Sequence, residues 1–529
     1  MFVALLTLLI TAAPADGPDT LVVCPVEFRE ALEPWLRYRD KQGHHIVVVA
    51  NDRSAVGIRK TIREVAESGS LKQVVLVGDA DPAAAHDLNV RRRSVPSHLA
   101  KAKVNVQWGS EPEIATDNWY ADLDDDIVPD LAIGRLTADT SDELTQMISK
   151  IMSYEQQSAQ GMWRRRVNFV AGVGGFGKVV DSVLEMATKK FLTEGIPASY
   201  CTSMTYGSWQ SPFCPDPRRF HQQSMDRFNE GCLFWVYIGH GQRHYLDRVR
   251  VPGGHHHIMS NEDADLLRSA EGSPIAIFLA CYTGAFDDRR DCLAEEMLSR
   301  TGGPVGVVCG SRVTMPYAMA VMSNEMMDQY FNHRCETLGE VVFKAKRKLA
   351  IDDKEDSDGQ NETRQTLDAI ARVISPSPKL LHEERAEHLL LFNLLGDPLL
   401  RLHHPNKVQV DVAKQVLAGD KIKVSGTSQV HGKCTVELVC RRDRTTFTPP
   451  VRRQYDPSDE SLTEYTNVYE RANDRCWAST SANTKAENFE TELHIPEEAY
   501  GPCHIRVFVD GTDNYAMGST AVFVKKADN

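Results

Sequence analysis

The 529-residue sequence has no CxxC pair and no excess of basic charge, and little Gly and Pro for its length. Each absence excludes something. Without CxxC spacing, zinc-ribbon and thioredoxin-type readings fail. A net charge of −13 argues against a dedicated nucleic-acid binder, so no nucleic-acid partner is expected. With 34 Gly and 25 Pro the chain is neither collagenous nor low-complexity. Its twelve cysteines are scattered and too few for a disulfide scaffold at this length. Four of them, Cys434, Cys440, Cys476 and Cys503, fall near the C-terminus, where a disulfide is plausible after export.

Long apolar runs are also missing, apart from FVALLTLLITAA at residues 2–13. That run is too short to span a bilayer, and Ala13-Pro14-Ala15 follows it as a small-x-small cleavage pattern. Residues 1–15 therefore read as a secretory signal, although no Lys or Arg precedes the run. The alternative is a buried first strand. The expected location is exported (periplasmic, cell-surface or extracellular), with no membrane span in the mature chain.

From residue 20, short apolar runs alternate with helical patterns: LVVC at 21–24, HIVVVA at 45–50 and QVVLVGD at 73–79. After a polar loop of about fifty residues the alternation resumes with LAIGRL at 131–136 and VNFVAGV at 167–173. It continues through LFWVYIG at 233–239, IAIFLAC at 275–281 and VGVVCG at 305–310. Continuous apolar strands separated by helices predict an α/β fold with a parallel sheet covered on both faces. After His404-Pro405 the texture changes to short β-type runs without helical periodicity. Residues 405–529 read as an immunoglobulin-like β-sandwich.

Two strand ends stand out. FWVYIGHG places His240 just past one apolar strand, and IAIFLAC places Cys281 just past another. In open α/β sheets ligands bind outside the carboxyl ends of strands. A nucleophilic thiolate needs an imidazole nearby. Singly, a buried Cys is usually inert and a lone His structural; together, with Gly239 and Gly241 permitting close approach, they point to catalysis.

The finer text resembles the gingipain family of cysteine peptidases, within the caspase and legumain group. YIGHGQ at 237–242 is similar to its histidine motif and FLACYTGAF at 278–286 to its cysteine motif. VGVVCGSR at 305–312 resembles the following strand, and NLLGDPLL at 393–400 the closing motif. Upstream, VLVGDAD at 75–81 and DNWYADLDDDIVPDLAIGR at 117–135 resemble the amino-terminal subdomain. The resemblance implies a caspase-like, mostly parallel sheet in two subdomains, 16–160 and 161–404, with a trailing β-sandwich. It implies a cysteine endopeptidase acting on protein or peptide substrates, with no cofactor required for the chemistry. Cys281 would be the nucleophile and His240 the proton carrier. The backbone N–H groups of Gly241 and Cys281 would be the oxyanion donors.

The chain departs from the family pattern where gingipains carry an acidic partner for the histidine; Val173 or Gly174 stands there. This keeps a rival open, an exported, catalytically silent relative used for binding or scaffolding. Asp181 is the nearest counterpart of the family's reader of basic side chains, with a solvated helix residue as the alternative. Asp287, with Asp288, falls close after the nucleophile; it would disfavour a thiolate or attract a basic side chain.

Asp122, Asp124, Asp126 and Asp130 have oxygen-rich spacing that suits calcium without matching an EF-hand. Gingipain-like proteins bind calcium, and a solvated acidic loop is the alternative. His255-His256-His257 suggests zinc, but consecutive histidines rarely converge on one metal, and a surface loop is preferred. AGVGGFG at 171–177 reads as a tight strand-to-helix turn, taken to lack G-x-G-x-x-G spacing and without a clear acidic ribose partner downstream. Arg91–Arg93 and Arg164–Arg166 read as solvated faces or processing sites.

Overall fold

The computed structural model describes residues 17–157, 161–174, 195–269, 272–350, 362–375, 377–484 and 488–526. The apolar leader and Asp181 lie outside these ranges. Among the described residues no helix is long and apolar enough to cross a membrane.

The alternating region forms one ten-stranded sheet. Its strands are β1 (Thr20–Val23), β2 (Ile46–Val49), β3 (Gln73–Val77), β4 (Ala132–Leu136) and β5 (Arg166–Ala171). They continue with β6 (Cys201–Tyr206), β7 (Phe234–Ile238), β8 (Ile275–Leu279), β9 (Gly306–Gly310) and β10 (Phe392–Gly396). The spatial order is β2-β1-β3-β4-β10-β9-β8-β7-β5-β6. The first five strands in that order are parallel to one another, as are the last five. The blocks meet antiparallel at β9/β10, from Gly306↔Gly396 to Gly310↔Phe392. Their carboxyl ends thus open on opposite edges of a single sheet. The central strands β8, β9 and β10 are buried throughout, which is why they read as unbroken apolar runs.

Helices cover the sheet: α1 (Arg29–Lys41), α2 (Ala55–Ala66), α3 (Ser141–Gln156), α4 (Phe220–Asn229), α5 (Leu293–Ser299), α6 (Pro316–Phe331), α7 (Leu338–Ala350), α8 (Glu362–Ile374) and α9 (Leu381–Leu391). Local chemistry sets their ends. Thr140 and Glu143 form a reciprocal capping box on α3, and Pro316 opens α6 at its first turn. Asp397 in the closing motif accepts hydrogen bonds from Trp35 (2.5 Å) and Arg39 (2.6 Å), tying α1 to the end of β10. The loop of about fifty residues is shorter in practice: it carries a two-stranded hairpin, His98–Lys101 with Glu113–Thr116.

The C-terminal region contains β11 (Asn406–Asp411), β12 (Gln415–Leu417), β13 (Lys421–Ser428), β14 (Lys433–Cys440), β15 (Cys476–Asn483), β16 (Asn488–His494), β17 (Gly501–Asp510) and β18 (Tyr515–Lys525). They follow the order β15-β14-β17-β18-β11-β13-β16, with β12 on β18. β15 and β16 also lie against each other, so the sheet nearly closes on itself.

Helical structure is not absent here, contrary to expectation. Helix α10 (Asp459–Asn473) starts at an N-cap serine, Ser458, and buries Leu462, Tyr465, Val468, Tyr469 and Ala472. It docks on β6, the edge strand. Asn473 Oδ1 accepts from Met204 N (2.8 Å), its Nδ2 donates to Met204 O (3.1 Å), and Tyr469 bonds Thr205 (2.8 Å). An edge strand's exposed amides are thereby capped.

Arg164 and Arg165 are buried, not solvated. Arg165 (2.9 Å) and Arg506 (2.7 Å) share Glu437 across the junction, and burial opposes the Glu437 carboxylate while both guanidiniums hold it below its usual range. All twelve cysteines are free thiols; Cys440 and Cys503 are register partners but unbonded.

Candidate active site

β7 and β8 are neighbours, with Ile238 opposite Leu279. His240 and Cys281 each come two residues beyond those paired strand ends, so neighbouring strands deliver both residues to the same edge of the sheet. Gly241 permits the approach. A Cβ there would lie 2.6 Å from the Cys281 carbonyl oxygen and 2.8 Å from Thr283 Cγ2. The residue after the cysteine, Tyr282, has φ +59°, a left-handed conformation costly for a bulky side chain.

The Cys281 sulfur accepts the backbone N–H of Thr314 at 3.3 Å, just before α6 begins at Pro316. That loop is clamped from behind by α9. Buried His388 accepts Met315 N–H at Nε2 (2.9 Å) and donates from Nδ1 to Glu384 O (2.7 Å). Burial pushes His388 down to about 4. Glu384 accepts Ala318 N–H (3.2 Å), and Glu387 collects the N–H groups of Lys103, Val104 and Asn105. Sequence reasoning missed this support, whose partners are mostly backbone groups.

His240 Nε2 lies 3.1 Å from the Gly174 carbonyl oxygen. A carbonyl only accepts, so Nε2 carries the proton and Nδ1 is the basic nitrogen of the neutral ring. At the position where the family's acidic partner was sought, a backbone carbonyl orients the imidazole. Gly172, Gly174 and Gly177 do have G-x-G-x-x-G spacing, with Gly177 outside the described residues. Neither the Gly241 nor the Cys281 backbone N–H donates to a backbone carbonyl among the described residues. Both expected oxyanion donors are therefore uncommitted.

Asp287 lies in this neighbourhood, but both its oxygens are taken by Arg312, at 2.7 and 2.5 Å. Asp288 pairs with Arg243 (2.7 Å), which also bonds Glu111 (2.5 Å) and stacks over the Tyr282 ring. Burial works against the Glu111 carboxylate, but Tyr282 and Arg243 hold it below its usual range. The expected free acidic group beside the nucleophile is thus an ion-paired network.

The calcium candidates lie elsewhere, before β4. Carboxylate oxygens of Asp122, Asp124 and Asp130 fall within 4.8 Å of one another; Asp126 is not among them. Asp126 accepts Val128 N–H (2.8 Å). Asp122 accepts the N–H groups of Asp125 and Ile127 and pairs with Arg59 (3.3 Å), and Asp130 lies 3.6 Å from Arg347. Calcium wants six to eight oxygens. Three carboxylates with two guanidiniums beside them fit that demand poorly.

A mixed α/β sheet with a cysteine and a histidine just past adjacent strand ends is the arrangement expected of a cysteine peptidase. The chain belongs to peptidase family C25, whose family model matches residues 13–403. Lys-gingipain of Porphyromonas gingivalis is 22% identical over 290 residues, covering 52% of this chain and 14% of that protein. Lys-gingipain W83 of the same organism is 27% identical over 146 residues, 26% of this chain and 7% of its own. The match thus spans a small part of these curated relatives. The crystal structure of the Arg-specific cysteine proteinase gingipain R superposes with a TM-score of 0.53 at 15% identity, covering 97% of this chain and 98% of that one. The complex of Porphyromonas gingivalis RgpB pro- and mature domains gives 0.53 at 16% identity, covering 96% and 100%. The gingipain fold therefore extends over nearly the whole chain.

Proposed function

We propose that the protein is an exported cysteine endopeptidase that hydrolyses peptide bonds in protein or peptide substrates. The observation that carries this is the register-matched exit of His240 and Cys281 from β7 and β8, with the Gly241 and Cys281 N–H groups uncommitted.

In this reading His240 Nδ1 takes the Cys281 thiol proton as sulfur attacks the substrate carbonyl carbon. The oxygen gains charge and is met by the two N–H groups. The C–N bond then breaks, His240 delivers the proton to the departing amine, and a thioester remains. His240 next deprotonates a water that attacks the thioester, and sulfur leaves as thiolate. The Gly174 carbonyl keeps the imidazole in the tautomer this cycle requires. Residues 405–529 are read as an immunoglobulin-like sandwich that buttresses the peptidase unit, a role supported by the α10–β6 contact.

The test compares the chain with Cys281→Ala on a mixed peptide library containing Arg and Lys sites, alongside thiol alkylation. Cleavage that vanishes in the variant, with Cys281 alkylating faster than the other thiols, is expected. If neither protein cleaves and Cys281 alkylates no faster, the silent-relative reading replaces this one.

A further inference from the structure

The consecutive histidines at 255–257 do not converge on one another, yet one of them meets two residues from other elements. His257, at the end of the hairpin strand Gly254–His257, meets His221 on α4 and Asp263 in the 3₁₀ turn Asn261–Leu266. One ligand-type atom from each lies within 4.8 Å of the others. His257 Nε2 is 2.6 Å from Asp263 Oδ2, and His221 Nε2 is 3.6 Å from Asp263 Oδ1. The two imidazoles tilt together with centroids 5.1 Å apart.

The surroundings are built as those of a metal site are. His221 donates Nδ1–H to the Ile258 carbonyl at 2.8 Å, which leaves Nε2 as a lone pair turned toward the carboxylate. In the neutral ring that lone pair faces a negatively charged oxygen, and a cation between them resolves the conflict. Asp263 is itself fixed by the N–H (2.7 Å) and hydroxyl (3.1 Å) of Ser260. Ligand histidines commonly give their other ring N–H to a carbonyl, and ligand carboxylates are hydrogen-bonded in turn. The set is partly open to solvent, with His257 44%, His221 23% and Asp263 13% exposed at their side chains, so an ion has an entry path.

We propose that His221, His257 and Asp263 bind a divalent transition-metal ion of the zinc type, with water completing four-coordination. Two imidazoles and one carboxylate suit that ion and not calcium, which takes oxygen ligands. The ion would act as a staple beside the active site. Leu246 N–H bonds the Met259 carbonyl (2.8 Å) and Asp247 N–H bonds the His240 carbonyl (3.1 Å). The segment that leaves His240 thus runs against Met259 and Ser260, and Ser260 holds Asp263. Joining His257 to α4 ties this wall of the crevice to the body of the sheet. The site stands independently of the catalytic reading.

The experiment uses the full chain carrying Cys281→Ala, which removes the reactive thiol as a competing zinc ligand. Zinc chloride is titrated into chelator-treated protein against a chromogenic chelator, and cobalt(II) is added separately to read its visible bands. One equivalent of zinc is expected, with the intense visible bands of tetrahedral cobalt. His221→Ala and His257→Ala each weaken binding by more than the about 10–100-fold typical of lost supporting contacts. His256→Ala, on the opposite face of the same strand, leaves binding unchanged. Metal-free variants are checked by circular dichroism and thermal unfolding; ligand variants should keep the metal-free Tm and lose only the zinc-induced rise. Absence of stoichiometric binding overturns the proposal. So does binding that survives the His221/His257 double variant or follows His256 or a cysteine instead.

Discussion

The crevice above β7 and β8 and the cover over β6 are assembled on opposite principles. In the crevice, His240 and Cys281 each follow an apolar strand by two residues and meet backbone groups of Gly174 and Thr314, with the Asp287–Arg312 and Arg243–Glu111 pairs beside them. Over β6, the contacts join residues far apart in sequence: Met204 to Asn473, Thr202 to Arg475, Tyr200 to Arg442, and Arg165 to Glu437. The first is a geometry built by strand register. The second is a set of charge and hydrogen-bond matches, each meaningful only once both partners are known. The strand-end groups need precise placement, whereas a cover over an exposed sheet edge must satisfy polar groups wholesale.

The sharpest way to break this comparison is to damage each region and ask what fails. His240→Gln should lower kcat/KM by about 10⁴-fold or more, as loss of a catalytic histidine does elsewhere, while leaving the thermal midpoint nearly unchanged. Glu437→Leu should do the reverse. It leaves Arg165 and Arg506 buried without a counter-charge, a loss worth about 3–5 kcal/mol, and urea denaturation reads it directly. Cleavage per folded molecule should stay close to that of the parent. If Glu437→Leu abolished cleavage while the protein stayed folded, the cover would belong to the active site and the division drawn here would fail.

The same contrast explains what could be read in advance. The positions of Cys281 and His240 just past strand ends were legible because a continuous apolar run followed by a chemical residue is a local pattern, and so was most of the ten-stranded sheet. β6 was not: Cys-Thr-Ser-Met-Thr-Tyr is a polar edge strand whose partner groups come from α10. Helix α10 escaped notice because two of its five buried positions are tyrosines, in a stretch otherwise rich in charge. Arg164 and Arg165 looked solvated because the sequence shows their charges but not Glu437, 272 residues beyond Arg165. The Gly174 carbonyl leaves no trace in a residue pattern, since every residue has one. His257 was considered with the wrong companions, its neighbours in sequence instead of those on α4 and the following turn.

His388 probes the rear of the crevice through pH. Folded, it stays neutral down to about 4; unfolded, a histidine takes its proton near 6.5. Between those values the unfolded chain binds the extra proton, so stability from this residue is present above 6.5 and drains away as pH falls toward 4. The full difference is about 3 kcal/mol. Measured as the gap in unfolding free energy between the parent and His388→Gln, it should be largest near neutrality and shrink through that window. The comparison with a variant matters because Glu384, pushed up to about 7 by burial, contributes in the opposite direction. A gap that stayed constant from pH 7 to 4 would mean His388 is not held neutral, and that the loop carrying Thr314 is secured otherwise.

The smallest effect is expected at the acidic loop before β4, where a guanidinium already stands against the carboxylates. Arg59 pairs with Asp122 and Asp125, and both Asp122 oxygens accept backbone N–H groups. A calcium ion there must share or displace those partners, so its affinity should lie near the weak, roughly millimolar end of the range for such sites. At about 5 mM calcium, mass action then supplies only about 1 kcal/mol. That corresponds to a rise in Tm of roughly 1–2 °C for a chain of this size. Asp124→Asn and Asp130→Asn should abolish even that rise, and Asp126→Asn should not, because Asp126 lies outside the converging set. A much larger calcium-dependent rise, lost in Asp124→Asn, would show that Arg59 yields the site to the metal and that the loop is a calcium centre after all.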